Sequence, residues 1–216
     1  MSKFSVRDGE KFIFIGDSIT DCGWFSTERP YGNGYVSLFM DLQRWMFPEI
    51  RVEYANKGIS GHTVLDLKNR WADNVVREKP DWLSIMIGIN DCHRVLDGAA
   101  DAQDYSPEQF RRNYDLILAE TREKTEARVL LIDPFYFSTD DSGLGSRTQV
   151  LKLLPEYIAV VHDMAKKHKA RLVRTQEMFQ KHLKYVSPDY FGWEPIHPNR
   201  VGHLFIALEI MKALTA

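Results

Sequence analysis

The sequence holds two cysteines in 216 residues, Cys22 and Cys92. They are too few for a disulfide framework and too far apart for a paired-thiol zinc knuckle. Reduced thiols packed as small buried side chains are the expectation, since neither sits in a Cys-x-x-Cys pair. No apolar run approaches the roughly 20 residues that cross a bilayer, so no membrane partner is expected. Charge of one sign is also lacking. Lys and Arg number 28 against 30 Asp and Glu, interspersed, for a net charge of −2. That balance gives no footprint for nucleic acid or an anionic membrane surface. The opening stretch MSKFSVRDGEKFIFIG runs almost directly into a strand pattern, without the apolar core and small-residue cleavage site of an export signal, so a cytoplasmic location is expected. Finally, no repeat, low-complexity tract or Pro/Gly-rich linker divides the chain, and its length suits one domain spanning 1–216.

What is present is an alternation. Apolar strand patterns occupy Lys11 to Ile15, Arg51 to Ala55, Trp82 to Ile87, Arg128 to Asp133 and Arg171 to Arg174. Helical patterns lie between them, at Tyr35 to Phe47, Thr63 to Glu78, Pro107 to Glu126 and Thr148 to Lys167, and a last one covers Val201 to Leu214. Ser106, Pro107 and Gln109 form a helix-start signature, and Phe110, Tyr114, Ile117 and Leu118 then repeat at helical spacing. Thr63 and Asp66 suggest a second such start. Strand and helix in turn predict an α/β domain of three layers, with a five-stranded parallel sheet between helices. In such sheets ligands bind beyond the carboxyl ends of the strands, near the point where strand order reverses.

Those ends carry chemistry. In FIFIGDSITDCGW the first strand pattern runs into Gly16, Asp17 and Ser18; Asn56 to His62 follow the second, with Gly58 and Gly61; Gly88, Ile89, Asn90 and Asp91 follow the third. If these loops converge, a serine hydroxyl, backbone N–H groups in a glycine turn and an asparagine carboxamide face one point. Acyl transfer uses that set, a nucleophile and fixed donors for the oxygen that gains charge. The base is absent from these loops. Gly192-Trp193-Glu194-Pro195-Ile196-His197, before the last helix pattern, supplies a histidine with a carboxylate three residues upstream. Singly, each residue also has a plain reading: Gly-Asp as a turn, Gly61 as a positive-φ position, Asn90 as a cap, His197 as a structural histidine.

Together, and in order, Gly16-Asp17-Ser18, Gly58-Ile59-Ser60-Gly61, Gly88-Ile89-Asn90-Asp91 and His197-Pro198 resemble the four blocks of the SGNH, or GDSL-type, hydrolase superfamily. The wording GDSITDCG, NKGISGHTVLDLK and PDWLSIMIGINDCHR looks closest to its intracellular acetylxylan esterases and carbohydrate deacetylases. The resemblance implies a flavodoxin-like fold, Ser18 as nucleophile and His197 as base. It further implies an oxyanion hole from the Ser18 and Gly61 N–H groups and the Asn90 side chain, with Asp17 and Asp91 supporting, and neither cofactor nor metal. The family has Asp three residues before the histidine where this chain has Glu194, a conservative change; Asp189 is an alternative carboxylate.

The implied substrate is a small acylated carbohydrate, with acetyl the favoured acyl group. Aromatics flank the blocks, and Trp24, Tyr31, Tyr136, Tyr190 and Trp193 are the candidate sugar contacts, with about half of the flanking aromatics expected in the core on burial grounds. Related enzymes are often oligomeric, so a homo-oligomer stays open, although no heptad marks an interface. Three rivals remain: a lysophospholipase or thioesterase with the same mechanism, a carbohydrate-binding relic, and a metallophosphoesterase. The last has Asp91-Cys92-His93 and Gly16-Asp17 in the wrong order, with Thr20 where a second aspartate belongs.

Overall fold

The structure is a computed structural model that describes residues 3–98, 100–140 and 142–215. Five strands form one parallel sheet in the order β2-β1-β3-β4-β5: β1 Lys11–Gly16, β2 Glu53–Gly58, β3 Trp82–Met86, β4 Arg128–Ile132 and β5 Arg171–Val173. This is the flavodoxin-like order, and it reverses at β1. Gly16 therefore lies beside Gly58 on one side and Met86 on the other, which brings the first three strand ends together.

Helices follow each strand: α1 Ser18–Asp21, α2 Tyr35–Met46, α3 Val64–Asn69, α4 Ile89–Leu96, α5 Pro107–Lys124, α6 Ser146–His168, α7 Thr175–His182 and α8 Arg200–Leu214. α2 packs on α8, while α3, α5 and α6 form a second group. Right-handed crossovers place the two groups on opposite faces of the sheet. On the α2 face, Phe12 and Phe14 alternate inward and meet Phe39 edge-on at ring distances of 5.7 and 5.6 Å, and such contacts add to the burial of these fully enclosed rings. No described helix is long and apolar enough to cross a membrane.

The strand ends depart from the sequence pattern in informative ways. β2 runs from Glu53 to Gly58 rather than from Arg51 to Ala55. Arg51 is instead drawn out to Asp8, at 2.7 Å, whereas Asn56 can stay in the sheet because its amide donates to the Thr20 and Tyr31 carbonyls at 2.7 and 2.8 Å. The single helix expected over Thr63 to Glu78 is broken: α3 ends at Asn69 with Arg70 as C-cap, and a π-helical turn follows at Ala72–Val76. Both predicted starts are present. Thr63 and Asp66 cap each other reciprocally, while Ser106 Oγ accepts from the Gln109 N–H at 3.4 Å without the return bond from Gln109.

Candidate active site

Glycine makes the first turn. A Cβ on Gly16 would lie 2.3 Å from the Met86 carbonyl oxygen and 2.4 Å from Thr20 Oγ1, so no side chain fits where β1 meets its neighbours. Gly58 is as constrained, with a Cβ position 2.2 Å from the Asp21 nitrogen. Between them the chain turns into α1, and Asp17 caps it by accepting from the Ile19 N–H at 3.0 Å. Ser18 is therefore the first residue of a one-turn helix, where its own N–H has no intrahelical acceptor.

Ser18 Oγ lies 2.8 Å from His197 Nε2, across 179 residues of chain. On the far side of the ring, His197 Nδ1 lies 2.5 Å from Glu194 Oε1. The same oxygen accepts from the His197 backbone N–H at 2.7 Å, and Oε2 accepts from the Ile196 N–H at 3.1 Å. The glutamate thus folds back over its own turn, and that absorbs the methylene by which it exceeds aspartate. The loop is pinned at both sides. The Phe137 N–H donates to the Pro195 carbonyl at 3.0 Å, and Asn199 caps α8 by accepting from Val201 at 2.8 Å and donates its amide to the Tyr190 carbonyl at 3.0 Å. Asp189 is exposed in the turn Pro188–Tyr190 and makes no bond to His197.

The second and third loops close the site. Gly61 has φ +79°, a left-handed conformation that suits glycine, and a Cβ there would meet nothing within 4 Å. Neither the Ser18 nor the Gly61 N–H has a partner among the described residues. Asn90 sits in the first turn of α4, so it is helical and not in a loop; one hydrogen of its amide goes to the His62 carbonyl at 2.9 Å, which leaves the other. Asp91 is fully buried and accepts from the Val64 N–H at 3.1 Å, which ties α4 to the start of α3. Burial raises the Asp91 carboxyl to about 8, and it raises Asp17 to about 7 against the pull of its Ile19 hydrogen bond and of His197.

The proposed sugar contacts separate by burial. Trp24 is half-buried and donates Nε1–H to the Gly58 carbonyl at 2.5 Å; Tyr31 is half-buried and its carbonyl receives Asn56. Tyr190 and Trp193 are open, 49% and 93% exposed. Tyr136 is 4% exposed, so unlike Tyr190 and Trp193 it offers little open surface to a sugar: its ring packs near His93, and its backbone N–H donates to Gln176 Oε1 at 2.8 Å. Phe135 and Phe191 are core residues. Cys92 is buried as expected, but Cys22 is only half-buried, with Sγ 3.0 Å from Asn33 Oδ1 and 3.4 Å from His203 Nε2. Burial lowers His203 to about 4. Among the described residues no group of three or more His, Cys, Asp or Glu is placed to hold a metal. A cleft of about 770 Å³ opens at the other end of the strands, beside Trp82, Arg128 and Arg171, away from this constellation. Sequence reasoning missed Arg70 and His62, whose roles rest on contacts with main chain and with each other, and for which no short motif exists.

Comparison with known proteins agrees with the geometry. The chain is 34% identical to the acetylxylan esterase of Geobacillus stearothermophilus over 215 residues, covering 97% of this chain and 95% of that protein. The structure of that esterase, Axe2, superposes with a TM-score of 0.87 at 33% identity, covering 97% of this chain and 96% of the other. Structures of its catalytic mutants replace a serine, an aspartate and a histidine by alanine. A further match is LAE5, an alpha/beta hydrolase enzyme from the metagenome of Lake Arreo, Spain, with a TM-score of 0.86 at 31% identity over 98% of both chains. The GDSL-like lipase/acylhydrolase family matches residues 14–204, and on that extent the chain belongs to this family and is a carboxylic ester hydrolase.

Proposed function

We propose that the protein removes acetyl groups from small carbohydrate fragments, xylo-oligosaccharides among them, through a covalent acyl-enzyme on Ser18. The observation that carries this reading is the unbroken relay from Ser18 Oγ to His197 Nε2 at 2.8 Å and from Nδ1 to Glu194 at 2.5 Å. His197 takes the serine proton as Oγ attacks the ester carbonyl, then returns it to the departing sugar alkoxide. The same imidazole then draws a proton from water, which releases acetate and restores the serine. Through both steps the negative oxygen sits opposite the Ser18 and Gly61 N–H groups and the free hydrogen of the Asn90 amide, donors already fixed before substrate arrives. A hydrogen-bonded serine also argues against a binding-only relic. The sugar assignment draws on the acetylxylan esterase relative and on the open aromatic rings of Tyr190 and Trp193, which lie on the chain segment leading into Glu194 and His197.

The test is acetate release from acetylated xylo-oligosaccharides beside p-nitrophenyl acetate, with EDTA present, for wild type, Ser18→Ala, His197→Ala and the double mutant. Both activities should vanish with Ser18→Ala, and the double mutant should lose little more than either single mutant, because the pair acts as one unit. Cleavage of the aryl ester alone would overturn the sugar assignment. Additive losses would overturn the coupled relay.

A further inference from the structure

One half-buried cation outside the relay, Arg70, reaches the loops that carry the site. Arg70 ends α3 with φ −113°, and helix resumes only in the π turn of Ala72–Val76. Such turns recur at functional positions in helices. The break lets the guanidinium point inward at the strand ends. There Nη1 donates to the Lys57 carbonyl at 2.8 Å and to Asn74 Oδ1 at 2.7 Å, Nη2 to the Gly16 carbonyl at 3.3 Å, and Nε to His62 Nδ1 at 3.2 Å. No described carboxylate lies within ion-pair distance of it. A half-buried charge with no carboxylate in contact, Asp66 acting only from a distance, loses part of its solvation and needs well-placed acceptors to offset that loss. Here the acceptors are positional: Gly16 directly precedes Asp17 and Ser18, and Lys57 and His62 bracket Gly61.

The contacts continue. Because arginine can only donate, its Nε–H makes His62 Nδ1 the acceptor, and the imidazole is neutral with its proton on Nε2. The His62 carbonyl then holds the Asn90 amide at 2.9 Å. We infer that Arg70 is a positioning residue whose planar guanidinium sets the spacing between the nucleophile turn and the Gly61 and Asn90 donors, so that all three donors meet one oxygen. This rests on the serine-esterase reading above. A lysine cannot replace the fork, because one ammonium on a flexible stem cannot hold four acceptors at fixed angles.

Arg70→Lys and Arg70→Met test it on p-nitrophenyl acetate. Removing one oxyanion donor lowers kcat by 10²- to 10³-fold in known cases; misplacing donors should lower it by about 10- to 100-fold, with KM within about twofold. Arg70→Ala should recover kcat severalfold on addition of guanidinium at millimolar concentration, a readout that a merely structural arginine would not give. If Arg70→Met fails to fold, Arg70→Lys and the guanidinium titration decide the question. Wild type must first be labelled at Ser18 by a fluorophosphonate. Absence of both labelling and turnover in wild type overturns the serine reading and this inference together. Labelling and turnover in wild type, with kcat in Arg70→Lys and Arg70→Met within threefold or with loss confined to KM, overturn the inference alone.

Discussion

Replacing Glu194 by glutamine separates charge from geometry in the relay. Glu194 Oε1 accepts two hydrogens, from the His197 N–H and from Nδ1–H, and Oε2 accepts one from Ile196. A glutamine amide must put its NH₂ at one of these positions. Facing Ile196 it meets one N–H donor; facing His197 it meets the backbone donor and forces the ring into the wrong tautomer. The first orientation is favoured, so the imidazole keeps its tautomer and what is lost is the negative charge beside the imidazolium. Unit charges about 4 Å apart interact by roughly 1 kcal/mol in water and roughly 4 kcal/mol at an effective dielectric of 20. The histidine and glutamate side chains are 56% and 43% exposed, which puts the interaction in the lower half of that range. About 2 kcal/mol corresponds to a loss on the order of 30-fold. Because the imidazolium exists only in the transition state and intermediates, kcat and kcat/KM should fall together. The assay is steady-state hydrolysis of p-nitrophenyl acetate by Glu194→Gln, with Asp189→Asn as its control. A glutamine variant within threefold of wild type, beside an inactive Asp189→Asn, would refute the argument. A loss near 10⁴-fold, the size seen when a triad histidine takes the wrong tautomer, would show that the amide had settled in the other orientation.

Two further outcomes follow from Gly61 and from Asp91. Gly61→Ala places a Cβ at φ +79° in open space, so the penalty is conformational and not a clash; at about 1–2 kcal/mol for a left-handed L-residue, Tm should drop by roughly 2–8 °C. kcat should fall as well, as the strained N–H tilts, and an unchanged Tm in thermal unfolding would contradict the backbone conformation. Asp91 is an acid whose carboxyl is raised by burial from 3.8 to about 8, so its native state holds the proton more tightly than the unfolded chain. Its contribution is therefore fully present below about pH 4 and is lost as pH rises through 8. Asp91→Asn, which does not titrate, should gain stability relative to wild type between pH 5 and 8, on the order of 1 kcal/mol or more by urea unfolding; a difference flat with pH would contradict that shift.

The strands were legible because β1 and β3 read as nearly continuous apolar runs, the mark of strands covered on both faces. β2 starts two residues and ends three residues later than its apolar pattern because Asn56, Lys57 and Gly58 look like a loop, and pairing with Phe14, Ile15 and Gly16 of β1, with the Asn56 amide satisfied by Thr20 and Tyr31, makes a strand of them. The short helices α1, α4 and α7, of four, eight and eight residues, are too brief to show a period. The site divides along a similar line. Ser18, Gly61, Asn90 and His197 stand out as candidates because the chemistry proposed for them depends on residue type, and type is what a sequence records. The contacts of Arg70 do not, because two of its four acceptors are main-chain carbonyls that any residue would supply and the other two, Asn74 and His62, form no recognisable spacing with it. The proposed orienting acid lies between these cases: Glu194 and Asp189 are both carboxylates close to His197 in the sequence, and spacing alone does not rank them. Geometry does, because three N–H···O contacts within one turn hold the Glu194 carboxylate against Nδ1 while Asp189 points to solvent. A longer acid is tolerated at this position because its carboxylate is fixed by its own turn, so the extra methylene changes the curl of the side chain and leaves the oxygen-to-imidazole contact in place.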